Sequence, residues 1–156
     1  MIKKELEAIA SISHGAQRDY YLSLARDLKS VEVVSITEAF SEEECERIRK
    51  HLKPRIKQCY RNAFLLAQMF PDCVEYVEGR MSIPCIGNCF SIEHAFNKVG
   101  NKYVDVTMEL VLKNIDNPEY VSLIECTYGE VANVIAKTGM YGGVYNYVYN
   151  KTKQNI

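Results

Sequence analysis

Apolar positions recur along this chain with two periods, and the change from one to the other divides it. Ile2, Leu6, Ile9 and Ala10 stripe one face of a short helix over residues 2–10, which Ser11-Ile12-Ser13-His14-Gly15 interrupts. Tyr21, Leu24, Ala25 and Leu28 mark a second helix over about 17–28. The β-branched run at 31–36 reads as a strand or an extended connector. Thr37 or Ser41 then caps a helix over 42–52, and Ser41 with Glu44 spells a capping box. A basic end followed by Pro54 closes that helix. The next helix runs from about 57 to 69 and is stopped by Pro71. Its stripe is Cys59, Ala63, Leu66 and Phe70.

Beyond residue 73 the period becomes two. Residues 73–83 alternate as a strand, with Gly79 at a bulge, and 84–89 form a turn-rich connection. Residues 90–99 and 102–106 pair as a hairpin through Gly100-Asn101. A further strand is expected over 119–127 and a short helix over 130–137. Residues 139–150 read as a Gly/Tyr-rich tail of period two at Val144, Asn146 and Val148, so its tyrosines 141, 145, 147 and 149 are expected half-exposed on a strand. Helices first, then an antiparallel sheet, define an α+β class. The whole chain, 1–156, is read as one domain, with an N-terminal helical part at 1–54 and a core at 55–150.

Composition narrows the function classes. A chain of 156 residues buries enough surface to fold without metal or disulfide. Lys+Arg 19 against Asp+Glu 20 leaves a net charge of −1, which offers no footprint for nucleic acid or an anionic membrane. No run of apolar residues is long enough to span a bilayer, and the charged start lacks the features of a secretory signal. Six unevenly spaced cysteines then read as free thiols in a reducing compartment. The expected location is the cytoplasm, or the inside of a host cell for a virus-encoded chain. No cofactor is expected.

The chemistry concentrates around Lys57-Gln58-Cys59-Tyr60-Arg61-Asn62. A thiol attacks as its thiolate, and the N-terminus of a helix, with its unpaired N–H groups, favours negative charge. A histidine beside it serves as base and then acid, held in one tautomer by a carboxylate. His94 and Asp105 lie on the two arms of the hairpin, where cross-strand neighbours share a face. The candidate triad is therefore Cys59, His94 and Asp105. The Cys59 N–H is a natural oxyanion donor, with Gln58, Lys53 and Asn97 as further candidates for oxyanion or substrate contact.

These residues resemble a family. Gln58-Cys59-Tyr60-Arg61-Asn62-Ala63 is similar to the Gln-Cys-Trp-x-x-Ala motif of transglutaminases. Glu93-His94-Ala95-Phe96-Asn97 resembles their His-(Ala/Val)-Trp-Asn strand, and Lys102-Tyr103-Val104-Asp105-Val106-Thr107 their Trp-x-x-(Leu/Val)-Asp-x-Thr strand. The likeness covers roughly residues 55–110, with Tyr60 and Phe96 where the family favours Trp. It implies a papain-like fold in which the nucleophile helix packs on an antiparallel sheet. It also implies a cysteine hydrolase or acyltransferase acting on a peptide or small amide through an acyl-enzyme. These 156 residues depart from the animal enzymes in their small size, without the additional β domains and without an evident acidic calcium loop.

Two other classes stand beside it. One is a binding domain that keeps the fold with a relic triad. The other is a small zinc protein using Cys73, Cys85, Cys89 and His94, whose spacing lacks the close pairs of structural zinc sites. His14 and His51 read as surface residues, and Gly142-Gly143 is too short for a phosphate loop.

Overall fold

The computed structural model describes residues 1–85, 88–113 and 117–154, with backbone alone at 84–85 and 88–89. The elements run α1 (Ile2–Ile12), α2 (Gly15–Asp27), β1 (Lys29–Val31), β2 (Val33–Val34), α3 (Ile36–Ala39), α4 (Glu42–His51) and α5 (Cys59–Met69). Then follow β3 (Val74–Cys85), β4 (Asn88–Val99), β5 (Lys102–Val104), a π-helical turn at Met108–Leu112, β6 (Tyr120–Cys126), α6 (Tyr128–Thr138) and α7 (Val144–Gln154). The class is α+β.

The strands form one sheet in the order β1-β6-β3-β4-β5-β2. It is mixed rather than wholly antiparallel, because β2 pairs parallel with β5. β1 and β2 sit at opposite edges yet are separated in sequence by Glu32 alone. A flat sheet cannot satisfy that, so the sheet curls until its edges approach. Its inner face holds Val77, Met81, Phe96, Tyr103 and Tyr120, and Phe96 lies edge-on to both tyrosines. The two edge strands show that the segment 1–54 contributes to the same sheet as the rest of the chain, beyond the helices expected there.

The largest cluster lies on the outer face, where α5 brings Ala63, Phe64, Leu66 and Ala67 onto Tyr76, Ala95 and Val104. Helix α4 begins at the expected box, with Ser41 Oγ accepting from the Glu44 N–H and the Glu44 carboxylate from the Ser41 N–H. An equivalent box of Thr127 and Glu130 opens α6.

Two expectations change. Residues 31–36 split into β1, β2 and the capped start of α3, where Ser35 accepts from the Thr37 N–H. The tail is helical rather than extended. Val144, Tyr145, Val148 and Tyr149 fit helical spacing as well as period two, and the Glu78 carboxylate accepts from the Val144 and Tyr145 N–H groups at the start of α7. Tyr145 is buried, stacked on Tyr149, and donates to Asp27 at 2.7 Å, tying α7 to α2.

Gly79 sits where β3 shifts register against β6, directly across from His94 on β4. A Cβ there would lie 1.8 Å from the Val121 carbonyl oxygen, which is backbone and cannot move aside cheaply. Gly79→Ala is therefore expected to destabilise the protein by about 3 kcal/mol or more. Urea unfolding measures this, and an unchanged midpoint would refute the close approach.

Candidate functional site

Cys59 is the first residue of α5 and is half-buried. Gln58, at the N-cap, has non-helical backbone angles, and its exposed side chain makes no capping bond. The loop before it carries positive φ at Lys53 and Lys57. Asn62, fully buried, fixes that loop: its Oδ1 accepts from the Arg55 N–H at 2.9 Å and its Nδ2 donates to the Arg55 carbonyl at 2.8 Å. The same amide donates to Thr107 Oγ1 at 3.0 Å, which brings the start of α5 against the chain leaving β5. Tyr60 packs beneath Gly142, where any Cβ would meet its ring, and its hydroxyl reaches Glu93 at 3.4 Å.

His94 lies in a stretch of β4, His94 to Asn97, that is buried on both faces. Its Nε2 is 2.6 Å from Asp105 Oδ2, with the two residues 4% and 2% exposed. That bond occupies Nε2, and Cys59 is the next side chain whose interaction bears on the ring. Burial works against an imidazolium here. Asp105 outweighs it through charge and hydrogen bond, Cys59 adds to it, and the His94 pKa is raised from its usual 6.5 to about 10.

Asp105 follows β5 and caps the helical turn that begins there. Its Oδ1 accepts from the Thr107 and Met108 N–H groups at 3.1 and 3.2 Å, the positions an N-cap side chain serves. Oδ2 is thereby turned toward His94, and it accepts a second bond, 2.8 Å, from the Tyr120 hydroxyl on β6. The three expected residues are thus brought together, and Tyr120 joins them unforeseen. Its signal in the sequence was only a tyrosine in an apolar strand.

Asn97 has a different task from substrate contact. It is fully buried, and Nδ2 donates to the carbonyls of Ala63 on α5 and Glu75 on β3, at 2.8 and 3.1 Å. Both its donor hydrogens are committed, so it staples α5 to the sheet and has none for an oxyanion. Lys53 is exposed in the chain after α4. Of the zinc candidates, the side chains of Cys85 and Cys89 lie outside the described residues. Cys73 precedes β3, six residues from Gly79, the partner of His94, or roughly 20 Å along the strand. No metal-ligating cluster occurs among the described residues. A cavity of about 580 Å³ lies at the seam of the curled sheet, and it touches this group only at Asp105 and Tyr120.

Comparison of the chain with protein-family models, curated proteins and solved structures finds no match. Among the described residues, no helix is long and apolar enough to cross a membrane.

Asp105→Asn removes the charge that opposes burial, so the His94 pKa is expected to fall by at least about two units. A raised histidine contributes fully below its unfolded value of 6.5, and that contribution is lost as pH climbs through about 10. Wild-type protein should therefore lose urea resistance over that window and Asp105→Asn should not. Histidine-ring NMR titration with urea midpoints at pH 6 and 10 tests both, and equal losses in the two proteins would contradict the assignment.

Proposed function

We propose that this chain is a cysteine hydrolase or acyltransferase of the transglutaminase-like, papain-like kind, acting on the amide carbonyl of a peptide or small molecule. The observation that carries the reading is the buried 2.6 Å pair of His94 Nε2 and Asp105 Oδ2, which leaves Nδ1 to the Cys59 thiol. The position of Cys59 at the exposed end of an uncapped helix supports it. So does the packing of α5, which carries Cys59, on the sheet.

In this reading the thiolate of Cys59 attacks the carbonyl carbon, a C–S bond forms and the carbonyl electron pair moves to oxygen. The Cys59 N–H and the Gln58 side chain receive that oxyanion in this reading. The His94 imidazolium gives its proton to the leaving nitrogen as the C–N bond breaks, which leaves a thioester. Water or an amine then attacks the thioester carbonyl while His94 takes its proton, and the thiolate departs. Asp105 holds the ring in one tautomer throughout and stabilises its charged form.

Ordinary thiols, with a pKa near 8.5, are scarcely ionised at pH 6. Iodoacetamide at that pH is expected to alkylate Cys59 at least about tenfold faster than the exposed Cys73, and His94→Gln should abolish the difference. Peptide mass spectrometry reads each cysteine separately. Equal labelling of the two at pH 6 would favour a non-catalytic domain with a relic triad.

A further inference from the structure

The inner-face cluster contains two tyrosines with different duties. Tyr103 donates its hydroxyl to Glu125 at 2.6 Å, in a surface network with Lys98 and Lys29. Tyr120 donates to Asp105 Oδ2 at 2.8 Å, the same oxygen that His94 Nε2 meets at 2.6 Å. Its ring packs against Phe96 and beside the imidazole, contacts that a phenylalanine would make equally well. The hydroxyl is what the apolar cluster does not explain. A buried phenol oxygen requires a partner, and here the partner is a carboxylate that three other donors already address.

We infer that Tyr120 is a positioning residue of the proposed triad, sharing Asp105 Oδ2 with the imidazole and limiting how tightly the carboxylate holds the imidazolium. This rests on the catalytic reading above and concerns the regulation of that same site. A carboxylate oxygen that accepts two hydrogen bonds divides its charge between them, so each donor is bound less strongly than it would be alone. The point matters because the imidazolium has to release its proton to a leaving nitrogen, and an acid works best when its pKa lies near the working pH. A ring clamped by an undivided carboxylate would keep its proton. The groups that face His94 are Asp105 and Tyr120 on one side and Cys59 on the other. Glu32, Glu109, Glu119 and Lys113 line the cavity beyond Asp105.

The test compares donor strength at one position. Tyr120→Phe removes the second donor and is expected to raise the His94 titration midpoint, read by ring NMR, by about half a unit or more. Placing 3-fluorotyrosine at position 120 keeps the ring and makes the hydroxyl a stronger donor, so it should lower that midpoint. The opposite signs are the signature, because loss of packing alone would not produce them. Should Tyr120→Phe fail to fold, the fluorinated protein still decides. In turnover of an acyl p-nitroanilide, whose leaving group is a nitrogen, Tyr120→Phe should lower kcat about tenfold and leave KM in place. A midpoint that stays fixed, or that moves the same way in both proteins, overturns the inference. Absence of turnover by the wild-type protein would instead count against the catalytic reading, and the NMR comparison would still judge Tyr120.

Discussion

Four hydrogen bonds converge on the carboxylate of Asp105, and three pieces of chain take their relative positions from it. His94 comes from β4, Tyr120 from β6, and two backbone N–H groups from the turn after β5. β4 and β6 are not neighbours in the sheet, since β3 lies between them. Only a curled sheet lets side chains from both reach one carboxylate. A buried carboxylate without partners would be prohibitively costly, so the curl and the charge stabilise one another. Gly79, opposite His94, allows β6 to come close enough at the point where the curve is needed.

Cys59 is placed by amides rather than by charge. Asn97 joins α5 to the sheet through the Ala63 carbonyl, and Asn62 joins the loop before α5 to the turn after β5. Each is buried with its donors used, and such bonds are worth about 1 kcal/mol apiece while costing more than that if left half-made. They therefore act as locators more than as sources of stability. Their effect is that α5 begins beside the turn that Asp105 caps, with Gln58 exposed at its start. Sequence and site meet here: Gln58, Cys59, Asn62 and Ala63 each hold a distinct part of one local arrangement.

Much of this was legible in advance. The helical stripe of α5, the box opening α4, the bulge at Gly79 and the hairpin through Gly100 follow from local rules that tertiary contacts did not override. The proximity of His94 and Asp105 was legible because a hairpin fixes its own register. What was not legible depended on partners remote in sequence. Asn97 sits in a motif that suggested substrate contact, but its role is set by the Ala63 carbonyl, which no pattern reveals. Tyr120 lies fifteen residues from Asp105 across a segment with no periodic signal. The helix α7 was hidden because tyrosines and valines spaced by four satisfy both periods, and the anchor that decides the matter, Glu78, is on β3. The parallel pairing of β2 is likewise invisible, since two residues carry no direction.

Burial and Asp105 pull His94 in opposite directions, and the balance explains why the site is built around an oxygen with two donors. An imidazole in this apolar cluster would by itself be neutral and would do nothing to hold a neighbouring thiol as thiolate. An imidazolium facing an unshared, buried carboxylate would be stable enough to resist giving up its proton. Chemistry that needs the ring to hold and then release a proton requires an intermediate strength of attraction. The fold can adjust that strength only through what else touches Asp105. The backbone donors on Oδ1 are fixed by the helical turn, so the adjustable contact is the one on Oδ2. The adjustable contact on the partner of His94 is then a tyrosine on β6, a strand that pairs with neither β4 nor β5.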